Sequence, residues 1–169
     1  MKKVRRINNE GFSLVELIIV IAIMAILAAA LAPQLIKYID SSRKSTDVQS
    51  GQSIATAVGV ALANEDAYSD VLTEIGAGTT HTFWVSACTP TASDDFEQKV
   101  GEIIGAVAPK PKYRGFVGTN KYDDFAIVIT KDASNNVSFA IYPAKKGDFD
   151  ISTNADDIVY PTVGANYLD

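Results

Sequence analysis

Residues 12–32, FSLVELIIVIAIMAILAAALA, form an unbroken apolar run with one charge, Glu16. As a helix rising 1.5 Å per residue the run would be roughly 31 Å long, the hydrocarbon thickness of a bilayer. A soluble domain does not carry so large a contiguous apolar surface. The segment must therefore span a membrane or be buried in an assembly. Lys2, Lys3, Arg5 and Arg6 precede it, against Glu10 alone. That bias holds the N-terminus on the cytoplasmic side and sends the remainder across. Lys37, Arg43 and Lys44 follow the run with Asp40 and Asp47 among them, so the asymmetry is moderate.

Composition excludes several classes. The 169-residue chain has a net charge of −5, from 15 basic and 20 acidic residues. Four of the basic residues lie before the apolar run, so the remainder is strongly acidic. No direct nucleic-acid binding is expected of such a surface. A single cysteine, Cys88, excludes an intrachain disulfide and a CxxC pair, and a single histidine, His81, excludes the usual hydrolytic metal sets. No catalytic residues, metal or cofactor are expected. With 47% hydrophobic residues the chain is not disordered by composition.

Three readings of the N-terminus compete. Ala30-Leu31-Ala32 is of the small-x-small kind that ends a secretory signal peptide. The apolar run, however, exceeds the usual core of about 7–15 residues, and Pro33 would sit just after the cut. A plain signal anchor accounts for length and orientation but not for Glu16. A carboxylate at mid-bilayer costs on the order of 2.5–3.5 kcal/mol, less near an edge where it can snorkel.

The third reading uses every feature. Gly11-Phe12-Ser13-Leu14-Val15-Glu16-Leu17-Ile18, after a short basic leader and before an uninterrupted apolar helix, resembles the N-terminal motif of type IV pilins, as prepilins, and of the related type II secretion pseudopilins. The resemblance covers about residues 2–45. Pro33 also matches a proline found in many pilins 21 residues beyond the first mature residue.

The resemblance implies cleavage between Gly11 and Phe12 by a prepilin peptidase, followed by N-methylation of Phe12. It implies a structural subunit and not an enzyme, polymerised as a helical homo-oligomer by an assembly platform and its ATPase. Before assembly the chain would cross the cytoplasmic membrane once, N-terminus inside; afterwards it would lie in an extracellular pilus serving adhesion, motility or DNA uptake. The alternative within the resemblance is a type II secretion pseudopilin. A rival of another class is a membrane-anchored binding or enzymatic domain that never polymerises and keeps its leader.

Removal of Gly11 would leave Phe12 with a cationic amine. Glu16 lies four residues on, one helical turn away on the same face. In a low-dielectric bundle neither charge stays unpaired cheaply. Glu16 could pair with its own Phe12 amine or with a neighbour's, and the resemblance implies the second during assembly.

Residues 34–64 contain no proline and keep helical spacing at Leu35, Ile36, Ile39, Ile54, Val58 and Leu62. A helix from residue 12 to about 64 is expected, roughly 80 Å long. Its stretch Asp40–Gln52 reads as solvent-facing or subunit-facing. Pro33 should kink or locally break it. Where many relatives carry a helix-breaking glycine, this chain has Met24-Ala25-Ile26.

The implied plan is a cleaved leader (1–11), a membrane or filament-core helix (12–32), its continuation (33–64) and a globular head (65–169). In the head, Ser93 should cap a helix, DDFEQKVGEIIGAV, with Phe96, Val100, Ile103 and Ile104 on its apolar face. Thr82–Ser86 reads as a short strand or an extended connector, and three strand-like runs follow, Phe125–Thr130, Val137–Tyr142 and Asp157–Pro161, with a weaker one near Tyr113–Val117. The fold class is α+β: a long N-terminal helix on a small antiparallel sheet, which the resemblance also implies. Asp148, Asp150, Ser152 and Asn154 alternate as in a calcium loop, but Thr153 and Val159 stand where that loop needs glycine and glutamate. The Asp pairs 94–95, 123–124 and 156–157 read as solvated.

Overall fold

A computed structural model describes residues 11–76, 78–105, 107–113, 122–134 and 136–168. The leader 1–10 and residues 114–117 of the weak strand lie outside the described residues. The apolar run opens α1 (Leu14–Leu62), followed by α2 (Glu65–Glu74), β1 (Thr80–Trp84), α3 (Asp95–Ile104), β2 (Asp124–Lys131) and β3 (Val137–Ala144). Two short 3₁₀ turns, Ala155–Asp157 and Ala165–Tyr167, complete the chain. The class is α+β, as expected.

The chain divides into two units, Met1–Ile39 and Asp40–Asp169. In the first, every residue from 11 to 39 is exposed. Helical assignment runs through Pro33 without interruption. The expected kink or break is thus not written into the secondary structure: the ring removes one backbone donor, and the surrounding ladder carries the helix across.

The second unit is built on a sheet of order β1-β2-β3, antiparallel throughout. The central strand β2 is buried at six successive positions, Asp124–Ile129, because both faces are covered. On one face Phe125, Ile127 and Ile129 join Ile54, Val58 and Ala61 of α1, Val71 of α2 and Phe96 and Val100 of α3. On the other, Ala126 and Val128 meet Tyr142 and Ala144, flanked by Trp84, Phe149 and Ile158. The core-facing stripe of α1 reads Asp47, Gly51, Ile54, Val58, Ala61, a helical spacing of three and four. Small residues on it permit close approach: a Cβ at Gly51 would meet the Val159 side chain.

Three differences from the sequence reading have identifiable causes. Asp157–Pro161 forms no strand; it contributes one bridge, Tyr160 to Ile141, while Asp157 ends a 3₁₀ turn and accepts from Asn154 and Asn166 side-chain amides at 2.9 Å each. The helix expected from Ser93 is capped instead by Asp94, whose carboxylate accepts from the Glu97 amide at 2.9 Å. A separate helix α2 follows α1 directly, because Asn64 accepts from the Asp66 and Ala67 amides at 3.1 Å and starts a new first turn.

The polar stretch of α1 is not wholly outward, and its Asp47 is fully buried. It accepts from the Lys112 amide at 2.6 Å, the Tyr113 amide at 2.8 Å and the Tyr167 hydroxyl at 3.4 Å. One carboxylate thus fixes the 110–113 segment and the C-terminal turn to the helix. Burial raises its pKa above the ordinary carboxylate value, outweighing those donors.

Replacing Asp47 with Ala should leave buried donors unmet, costing about 1–3 kcal/mol for each and lowering the unfolding midpoint of the detergent-solubilised chain by several degrees. Asp47→Asn separates the titration from the packing. Because the folded pKa is raised, the native carboxyl adds stability at acidic pH that is lost as pH rises through its folded value. The wild-type advantage over Asp47→Asn should therefore widen between pH 7 and pH 4. A margin that narrows would show the donors, not burial, in control.

Candidate functional site at the N-terminus

Helix α1 begins with a reciprocal cap. Ser13 Oγ accepts from the Val15 amide at 3.3 Å, and Glu16 Oε2 accepts from the Ser13 amide at 2.9 Å. The Ser13 carbonyl takes the first intrahelical bond, from the Leu17 amide at 3.2 Å. This is a variant of the capping box: Glu16 satisfies the Ser13 amide three residues back, while the serine hydroxyl takes the amide two residues on rather than three. Its signature, Ser-x-x-Glu before an apolar run, was legible in Ser13-Leu14-Val15-Glu16, yet sequence reasoning assigned Glu16 and passed over Ser13. The carboxylate also stands in the first turn, at the positive end of the helix dipole.

Phe12 precedes the helix and is 85% exposed. Its nitrogen is an amide to Gly11, and Glu16 accepts instead from the Ser13 amide. Gly11 is exposed, and a Cβ there would meet nothing. Neither packing nor a positive φ demands glycine at this position. Among the described residues, then, nothing requires glycine at position 11. Pro33 lies inside α1, remote in sequence from these residues.

Elsewhere the chemistry-bearing side chains are occupied structurally. Cys88 is buried, its pKa pushed up to about 12 chiefly by burial, and its thiol donates to the Trp84 carbonyl at 3.5 Å. It stays a protonated, unreactive thiol near neutrality. His81 Nε2 sits 3.4 Å from Glu74 on a half-exposed surface. Asp124 is buried rather than solvated and accepts from the Ser86 and Phe125 amides. In the calcium-like stretch, Asp150 Oδ1 accepts from the Ser152 amide and hydroxyl at 2.8 and 2.7 Å. Among the described residues no three His, Cys, Asp or Glu side chains gather as a metal set.

The family model described as the prokaryotic N-terminal methylation motif matches residues 6–32. The chain is 41% identical over 76 residues to the type IV major pilin protein PilA of Myxococcus xanthus, covering 44% of this chain and 34% of that protein. It is 39% identical over 71 residues to the prepilin peptidase-dependent protein A of Clostridium perfringens, covering 42% of this chain and 50% of the relative. The chain thus spans half or less of the length of these curated relatives. No solved structure matches it significantly. The resemblance read from the N-terminal residues is borne out: the chain carries the prokaryotic N-terminal methylation motif and is similar to a type IV major pilin and to a prepilin peptidase-dependent protein.

Ser13→Ala removes one half of the cap, a loss of about 1 kcal/mol of helix stability. Amide exchange at Val15, Glu16 and Leu17 in the micelle-embedded chain should accelerate several-fold, with the head unaffected. Unchanged exchange would mean that the serine hydroxyl contributes nothing to the first turn.

Proposed function

We propose that this chain is the precursor of a type IV pilus subunit, a structural protein rather than an enzyme. Residues 12–32 hold it in the cytoplasmic membrane with residues 1–11 inside. A prepilin peptidase cuts between Gly11 and Phe12, and the new Phe12 amine is methylated. Assembly machinery, a platform with its ATPase, then transfers the subunit into a surface filament. The observation that carries this reading is the methylation motif leading into a helix exposed at every position from 12 to 39. The 41% identity to a type IV major pilin favours a pilus over a type II secretion filament.

Within that filament residues 12–39 form the packed core. Glu16 gives up the Ser13 amide for the cationic Phe12 nitrogen of the adjoining subunit, and this exchange sets register. Pro33, which lacks one ladder bond already, is the place where α1 can loosen as it leaves lipid. Adhesion, motility or DNA uptake would follow from the filament rather than from a catalytic centre.

Intact mass measurement of the protein from its own cells should give a chain beginning at Phe12 and heavier by one methyl group. Gly11→Ala should fold normally yet remain uncut, and Glu16→Ala should be cut but yield at least tenfold fewer fibres by electron microscopy of the cell surface. A native chain still bearing its leader, or full fibre yield from Glu16→Ala, overturns the reading. Loss of exported enzymes without visible fibres in a deletion strain would assign the chain to secretion instead.

A further inference from the structure

Lys37, Arg43 and Lys44 follow the apolar run and are not used by the filament reading. Arg43 belongs to a cleft of about 640 Å³ lined by Ser42, Arg43 and Thr46 of α1 and by Lys110, Pro111, Lys112, Tyr122 and Asp123. Among the described residues three cations and one carboxylate line it, on a chain whose net charge is −5. The carboxylate is partly committed, since Asp123 Oδ1 accepts from the Lys146 amide at 2.9 Å. Arg43 has a competing partner, Asp40, 3.5 Å away, but both are nearly half exposed and the pair is weak. The wall is held in place from below: Asp47 binds the Lys112 and Tyr113 amides, fixing the 110–113 segment against the helix turn that carries Arg43 and Thr46.

We propose that this cleft takes the phosphate of an anionic glycerophospholipid headgroup while the subunit waits in the membrane. Arg43, Lys110 and Lys112 lining one cleft supply guanidinium and ammonium groups, the donors a phosphate oxygen set requires. Sequence position supplies the depth. Residues 12–39 are all exposed, and the hydrocarbon-length run 12–32 is followed by seven further exposed residues, roughly 10 Å of helix that carries the chain through the outer headgroup layer. Ser42 and Arg43 follow within four residues of Ile39, where headgroup phosphates lie, and long basic side chains reach back toward that layer. A nucleic-acid strand fits less well: it needs a basic track many phosphates long, and the surrounding chain is acidic. A headgroup presents one or two charges and matches the local excess. The site would hold the subunit upright at the outer surface and release it when α1 leaves lipid.

This inference rests on the membrane-inserted state proposed above, and its test separates the two. The full chain is reconstituted in nanodiscs of equimolar phosphatidylglycerol and phosphatidylcholine, extracted into mild detergent, and its retained lipids counted by native mass spectrometry. Phosphatidylglycerol should be retained several-fold over phosphatidylcholine, and the preference should shrink as salt is raised. It should fall to parity in Arg43→Gln/Lys110→Gln/Lys112→Gln and persist in Lys131→Gln. The double variant Lys110→Gln/Lys112→Gln leaves α1 untouched and should lose at least half the preference even if the triple variant unfolds. Excess inorganic phosphate should not strip the lipid, because its chains keep the headgroup at the cleft. Parity in the wild type, unchanged preference in a folded double variant, or displacement by inorganic phosphate overturns the headgroup site. Failure to insert into either lipid overturns the membrane state as well.

Discussion

A helix that its own chain leaves uncovered governs everything else about this protein. Seventeen large apolar side chains between Phe12 and Ile39 are exposed. Burying one such side chain is worth about 1.5–3 kcal/mol, so together they represent tens of kcal/mol. That exceeds the whole net stability of an ordinary domain, about 5–15 kcal/mol. Such a segment needs a cover, and on the proposed reading that cover is lipid or copies of itself. Lipid tails are as apolar as the side chains, so moving from one cover to the other changes the hydrophobic energy little. Polar groups at the ends of the segment then decide which cover wins.

Glu16 is the polar group best placed to do so. In the uncut chain it closes the cap on the Ser13 amide, which satisfies both a backbone donor and the helix dipole. On the proposed reading, cleavage creates a cation one residue away from that cap. A carboxylate facing an ammonium in a low-dielectric bundle gains more than one facing a neutral amide. The exchange leaves the Ser13 amide short of an acceptor, which offsets part of the gain and keeps the two arrangements close. A switch of this kind needs a small difference between two satisfied states, and the serine supplies the fallback.

The parts of the fold legible in the sequence were those set by local pattern. The apolar run, the stripe Ile54, Val58, Leu62, the amphipathic helix around Phe96 and Val100, and the strands at 125–130 and 137–142 each carry their period in consecutive residues. The cap is equally local, its Ser-x-x-Glu spacing lying in Ser13-Leu14-Val15-Glu16. What stayed hidden depends on partners far along the chain. Asp47 reads as one more polar residue in a polar stretch; its donors are 65, 66 and 120 positions away. Asp124 and Asp157 read as solvated halves of acidic pairs, and their burial follows from amides at Ser86, Asn154 and Asn166. The basic cleft has the same character, since Arg43 and Lys112 meet only after Asp47 has drawn their segments together.

These buried carboxylates also revise what acidity means for this head. Asp47, Asp124 and Asp157 are turned inward, and Asp132 and Asp150 are lowered in pKa by donors from their own turns, Asn136 and Ser152 first among them. An acidic composition is thus partly a construction material: each carboxylate fastens a loop by accepting the amides that no strand or helix satisfies. A head braced by its own side-chain acceptors keeps its shape with few constraints on its outer residues. On the proposed reading the helix has no such freedom, because each of its positions must suit both lipid and a neighbouring copy. This division explains why the recognisable motif is confined to the first part of the chain while the head follows only general packing rules.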